Sequence, residues 1–129
     1  MVYTTRAIVL KVVKHGDHTV VLKAFTELHG LRSFLVRPGG KGGVSRAALQ
    51  ALNRVELVVN EHADRDLHAG REFRLDRPYR NVPFDAVRGA LALFVQEVLY
   101  KVLRGEAADA QLFLFIEHAL EAMDSGPDV

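Results

Sequence analysis

Along the first third of the chain, apolar residues come in short runs broken by turn formers. TRAIVLKVVK (5–14) is rich in β-branched residues and ends at HGDH (15–18), where Gly16 and Asp17 supply a turn; TVVLKAFT (19–26) then resumes the run. Val, Ile and Thr suit a pleated, half-buried surface, so the two runs predict a hairpin. ELHG (27–30) offers Gly30 for a left-handed turn position. LRSFLVR (31–37) predicts a third strand, with Arg32, Phe34 and Val36 on one face and Ser33, Leu35 and Arg37 on the other. After the glycine-rich stretch RPGGKGGVSR (37–46) and room for one helical turn in SRAALQ (45–50), NRVELVVNE (53–61) alternates Val55, Leu57 and Val59 with more polar positions and predicts a fourth strand. HADRD (62–66) turns the chain. LHAGREFRL (67–75) predicts a fifth strand, with Gly70 marking a bulge or sharp bend.

Beyond DRPYRNVPF (76–84) the period changes. From Asp85, the residues Val87, Leu91, Phe94, Val95, Val98, Leu99 and Val102 recur at spacings of three and four, which predicts one inward helical face up to a stop at Gly105. A second helix starts at Asp109 as N-cap and turns Leu112, Phe113, Ile116, Ala119, Leu120 and Met123 inward. It ends before Gly126-Pro127. Strands that precede helices, rather than alternate with them, argue against a parallel α/β sheet. The expected class is mainly β with α: a five-stranded antiparallel barrel of the OB type followed by an αα-hairpin. The expected division is a barrel over 1–77, a proline-marked linker over 78–83 and a helical segment over 84–129. The hairpin carries a surplus of apolar surface, because Leu91, Leu93, Phe94, Leu114 and Phe115 cannot all face one way. Either a denser contact with the barrel covers them, or another subunit or further chain does.

At 129 residues, with 49% apolar and 26% charged, the chain has the balance of a soluble globular protein with one ordinary core. Without cysteine it has neither a disulfide frame nor a cysteine zinc site, and it suits a reducing compartment. Lys11, Glu97 and Lys101 interrupt the strongly apolar segments, and the start does not resemble a signal peptide, so the expectation is a cytoplasmic protein without membrane contact. The net charge of +1 conceals an asymmetry: residues 1–55 hold nine Lys and Arg against two acids, whereas 56–129 hold eight against fourteen. No acid occurs from Leu28 to Val55, where Arg32, Arg37, Lys41, Arg46 and Arg54 fall. A positive segment gathered on one part of a fold attracts polyanions whatever the total charge.

Three readings of RPGGKGGVSR compete. A P-loop needs a glycine five residues before its Gly-Lys pair and a hydroxyl directly after it; here those positions hold Leu35 and Gly42, so the motif fails at both ends. A nucleic-acid finger and a solvated connection both remain open: glycines can mould backbone to a phosphate chain, and Arg32, Arg37, Lys41 and Arg46 supply charge. Phe34 lies among these bases and is a candidate for base stacking, although an aromatic in a strand more often belongs to the core, as is expected of Phe25. His15, His18, His62 and His68 flank turns without a companion cysteine or a tight His-Glu helix pattern, so solvated turns are expected and no metal site. Ser33, Ser45 and Ser125 lie in no nucleophile elbow. No catalytic set and no cofactor is expected.

TRAIVLKVVKHGDHTVVLKAFTELHGLRSFLVRPGGKGG (5–43), LHAGREFRLDRPYRNVPFD (67–85) and ALFVQEVLYKVLRGEAADAQLFLFIEHALEAMD (92–124) together resemble the bacterial recombination mediator family RecO, in its N-terminal OB-fold region and the start of its helical domain. The last two stretches are similar to the form found in Bacteroidetes-like bacteria. The resemblance implies a DNA repair and recombination protein that is not an enzyme. It would bind single- and double-stranded DNA, anneal strands, cooperate with RecR and help load RecA onto DNA coated by single-strand binding protein, in the bacterial cytoplasm at the nucleoid. It implies DNA contacts at Arg32, Arg37, Lys41 and Arg46, with Arg6, Lys11, Lys14 and Lys23 as a second row. The family is often more densely basic in the loop and continues through more helices, on which the tail of single-strand binding protein docks. The expectation is therefore a domain fragment, or a truncated member that forms a homo-oligomer through its helical hairpin. The competing expectation is a non-catalytic protein-interaction or oligomerisation module with a degenerate barrel.

Overall fold

A computed structural model describes residues 1–39, 49–61, 67–105 and 107–126. The strands are β1 (Val2–His15), β2 (Thr19–Thr26), β3 (Gly30–Val36), β4 (Arg54–Asn60) and β5 (Leu67–Leu75); the helices are α1 (Ala86–Val102) and α2 (Ala110–Ser125), with a 3-10 turn at Val82–Phe84 before α1. The expected turn at 62–66 and most of the glycine-rich stretch, including Lys41 and Arg46, lie outside the described residues.

The strands close into a barrel in the order β1-β2-β3-β5-β4, which is the OB topology. Neighbours run antiparallel except at the β3·β5 seam, where Ser33, Phe34 and Leu35 pair in parallel with Leu67, His68 and Ala69. Five strands that alternate in direction cannot close a ring without one such seam. Gly30 sits at φ 74°, as the turn into β3 requires. In β5 an extra residue lies opposite the Leu57–Val59 step, directly beside Gly70. That is the expected bulge, and Gly70 is there because a Cβ would stand 2.8 Å from Val36 Cγ1.

A second bulge matters more for function. Pairing runs Val9↔Ala24 and then Lys11↔Lys23, so Leu10 is the extra residue in β1. Before it, odd positions face the barrel interior, where Ala7 and Val9 pack with Leu22, Ala24, Phe34, Val55, Leu57 and Val59. Without the bulge, alternation would drive the Lys11 ammonium into that core. The extra residue flips the alternation and turns Lys11 outward beside Lys23.

The outer face of the β1–β2 hairpin builds a second core with the helices: Ile8, Leu10 and Phe25 pack with Ala92, Leu103, Phe113, Ile116 and Leu120. Asp85 and Asp109 cap the two helices, accepting from Val87 and Arg88 N–H and from Leu112 N–H. α2 presents most of its expected face, although Ala119 is exposed. α1 does not. Of the residues expected inward, Val87, Leu91, Phe94, Val98 and Val102 are exposed, while Val95 and Leu99 are half-buried. The inward side of α1 carries Ala92, with Val95, Leu99 and Tyr100 packed against the second core, and two polar residues that satisfy backbone carbonyls: Arg88 donates to Met123 O and Gly126 O at the end of α2, and Gln96 to Leu10 O of β1. A stripe drawn through apolar positions alone therefore includes exposed residues and misses the polar ones that face inward. No helix among the described residues is long and apolar enough to cross a membrane.

Ion pairs fasten the hairpin to the barrel. Glu117, Glu121 and Asp124 share one side of α2 at spacings of four and three. Glu117 takes Arg6, and Glu121 takes the buried Arg54 at 2.5 Å. Arg54 also lies 4.3 Å from the centroid of Tyr79, whose hydroxyl donates to Leu52 O. The buried Asp124 carboxylate accepts from the N–H groups of Arg80, Asn81 and Val82. Much of the charge asymmetry along the sequence is consumed at this seam.

Candidate nucleic-acid interface

The nine candidate residues separate into groups that sequence order does not reveal. Lys14, from the end of β1, and Arg37, just past β3, come together at a groove of about 810 Å³ at the barrel mouth. The β1–β2 turn forms its other wall with Gly16, Asp17 and His18, and Gly39 leads from it into the glycine-rich stretch. Neither cation has an ion pair among the described residues. With Lys14 and Arg37 against the single carboxylate of Asp17, such an open, net-positive groove can accept an extended polyanion.

Lys11 and Lys23 form the second group. They stand directly opposite each other in the β1·β2 register, where like charges repel. Both rest on Tyr100 of α1, with Nζ 5.1 and 6.0 Å from the ring centroid, and the Arg104 guanidinium lies 5.3 Å from the same centroid. The electron-rich ring offsets part of that repulsion. Sequence reasoning missed Tyr100 and Arg104. Their signal was the spacing of an aromatic and a base at the end of α1, but Tyr100 lay outside the apolar stripe assigned to that helix.

Two candidates are corrected. Phe34 is 0% exposed inside the barrel, 6.4 Å from the His68 ring and packed near Gly70, so its ring faces cannot meet a base. Arg6 is committed to carboxylates: it donates to Glu27 at 2.8 Å and to both oxygens of Glu117 at 3.0 and 2.9 Å. Its hydrogen bonds to Glu27, and its proximity to Glu117, outweigh desolvation and hold its pKa above the ordinary arginine value. Arg32 is intermediate, half-buried, donating to His29 O at 3.3 Å with Glu61 3.9 Å away. Lys41 and Arg46 lie outside the described residues.

The histidines also differ from expectation in one place. His68 belongs to β5 and is buried, with Nε2 3.8 Å from Glu61. Burial and Glu61 together push the neighbouring Tyr3 hydroxyl up to about 12, so this end of the barrel holds a neutral phenol. Among the described residues no group of three His, Cys, Asp or Glu side chains could hold a metal ion.

Comparison with known proteins agrees with this architecture. Residues 1–79 match the family model described as "Recombination protein O N terminal". The chain is 32% identical over 127 residues to the DNA repair protein RecO of Bacteroides fragilis, covering 97% of this chain and 52% of that protein. It is 30% identical over 128 residues to the protein of the same name from Porphyromonas gingivalis and 29% over 126 residues to that from Phocaeicola vulgatus, in each case covering 96% of this chain and 52% of the relative. It thus spans about half the length of the curated relatives it matches. With the OB barrel, the helical hairpin behind it and a match over most of its strands, the chain belongs to the recombination protein O N-terminal family.

Proposed function

We propose that this chain is the DNA-binding part of a RecO-type recombination mediator, acting by phosphate neutralisation without catalysis. The observation that carries the reading is the meeting of Lys14 and Arg37 at an open groove that leads into the glycine-rich stretch. Arg32, Lys41 and Arg46 extend the same positive segment in sequence. A backbone-tracking groove of this kind binds single strands with little sequence preference. Double-stranded DNA binding, strand annealing, RecA loading and contacts with RecR and single-strand binding protein belong to this reading of the whole protein, as does a place at the nucleoid in the cytoplasm. So does the division into a binding barrel (1–77), a connection (78–83) and a helical segment (84–129).

The test is fluorescence anisotropy of a labelled single-stranded oligonucleotide over a salt series, beside the Lys14→Glu/Arg37→Glu variant. The reading predicts affinity that falls with salt, with a logarithmic slope of about −0.7 per phosphate contacted, and a slope in the variant shallower by about 1.4. Equal affinity and slope in wild type and variant would remove the groove from the account.

A second reading rests on the exposed side of the helices. Phe94 is 65% and Phe115 70% exposed, and Leu93, Val98 and Val102 are exposed with them. Such a surface on a monomer marks a protein contact. In this reading the hairpin is an interaction surface and can form a homo-oligomer. Sedimentation velocity across a concentration series separates the two: self-association with no salt-sensitive DNA binding favours it over the first.

A further inference from the structure

The cluster on Tyr100 points beyond the barrel. We propose that Lys11, Lys23 and Arg104, gathered on the Tyr100 ring, form a second phosphate site for single-stranded nucleic acid, placed at the seam between the barrel and α1. The site rests on the DNA-binding reading and adds to it that the helical hairpin takes part in the contact.

The arginines that fasten the structure, Arg6, Arg54 and Arg88, each meet a carboxylate at 2.9 Å or less. Lys11, Lys23 and Arg104 meet none among the described residues, and they converge on one ring instead. All three lie within 6.0 Å of a single centroid, so no two are more than about 11 Å apart, a separation comparable to the Debye length of about 8–10 Å at which salt screens much of their repulsion. A ring face offsets some of that repulsion, and an anion seated among the three offsets the rest.

Arg104 offers a planar fork that pairs with a phosphate or a carboxylate in two hydrogen bonds, and the two ammonium groups supply point charges beside it; the preference for nucleic acid comes from the repeat of charge along the hairpin. The same hairpin carries Lys14 on the face opposite Lys11, at the groove. Charges repeated along one hairpin suit a ligand whose charges also repeat along its chain. The bulge at Leu10 explains why the site exists, since it alone brings Lys11 out beside Lys23.

The test uses the whole chain, a labelled oligothymidine and two single variants, Arg104→Glu and Lys23→Gln, with the groove variant as reference. Both changed side chains lie outside the two cores, and unchanged circular dichroism and melting confirm the fold before binding is read. The proposal predicts that Arg104→Glu weakens binding about fivefold to tenfold at low salt, and that each variant flattens the slope by about 0.7. Tyr100→Leu, which leaves every charge in place, should weaken binding as the cations lose the ring that gathers them. If the groove variant loses binding while Arg104→Glu and Lys23→Gln keep wild-type affinity and slope, the proposal falls and the groove reading stands. If wild type itself does not bind, both fall. If an acidic peptide of equal charge displaces the oligonucleotide as well as unlabelled oligothymidine does, the site is a general anion patch and the assignment to nucleic acid fails.

Discussion

Replacing Arg6 with methionine separates a structural arginine from a DNA-contacting one. The guanidinium donates to both oxygens of Glu117, and to Glu27 on its other side. Glu117 is 5% exposed and Arg6 30% exposed. Removing one partner of a fully buried pair costs about 3–5 kcal/mol, whereas an exposed pair is worth about 0–1. With one partner buried and the other partly screened, the expected loss is about 2–3 kcal/mol. For a chain of this length that lowers Tm by about 7–11 °C. Much of the loss comes from stranding the Glu117 charge, so Arg6→Met/Glu117→Met should be more stable than the two single losses added together, by about 1–2 kcal/mol. Urea denaturation of wild type, both single variants and the double variant measures this cycle. Oligonucleotide affinity of Arg6→Met, read where it is fully folded, should match wild type. An Arg6→Met chain as stable as wild type but weakened in DNA binding would refute the reasoning and return Arg6 to the interface.

Other consequences follow from the same packing. Burial pushes the Asp124 carboxyl up, but the N–H groups of Arg80, Val82 and Asn81 outweigh it, so its pKa lies below the ordinary value. Its contribution is therefore fully present above the unfolded pKa of about 3.9 and is lost as pH falls through the lower folded value. Asp124→Ala should cost about 3–5 kcal/mol at neutral pH, with three N–H groups left unpaired, and the urea-midpoint gap to wild type should narrow as pH falls below about 4. A Gly70→Ala chain places a methyl 2.8 Å from Val36 Cγ1, and overpacking of this kind costs about 1–3 kcal/mol, read by thermal melting; an unchanged Tm would contradict the close approach. Phe94→Gln and Phe115→Gln, at side chains that touch solvent, should leave the stability of the monomer within about 0.5 kcal/mol while weakening any self-association seen by sedimentation.

The strands were legible because β1 to β5 carry their turn chemistry and alternation in the open: Gly16, Gly30 and Gly70 all do locally what their positions suggest. The inward face of α1 was not legible. Its inward contacts include Arg88 and Gln96, whose partners are backbone carbonyls at the end of α2 and in β1. No periodicity in the helix itself reports such partners. The surplus of apolar surface on the hairpin was visible in advance, and Leu91, Leu93, Phe94, Leu114 and Phe115 are indeed exposed.

The candidate site divided along a similar line. Charge counting found the positive half of the chain, but it could not tell a cation facing solvent from one facing a carboxylate far along the sequence. Arg6 and Glu117 are 111 residues apart, so the pairing that commits Arg6 to a carboxylate exists only in three dimensions. Lys11 and Lys23 were found as bases, but their alignment depends on a bulge at Leu10 that has no glycine to announce it. Phe34 followed the commoner fate of a strand aromatic and lies in the core.

The central claim is that cations at the barrel mouth and along the β1–β2 hairpin meet nucleic-acid phosphates. Lysine acetylation footprinting of the wild-type chain, with and without a saturating single-stranded oligonucleotide, tests it without any substitution. The account predicts that Lys14, Lys11 and Lys23 become protected, while Lys101, exposed on α1 beside Glu97, keeps its reactivity. Protection confined to Lys101, or unchanged reactivity at Lys11, Lys14 and Lys23 with the oligonucleotide bound, would contradict it.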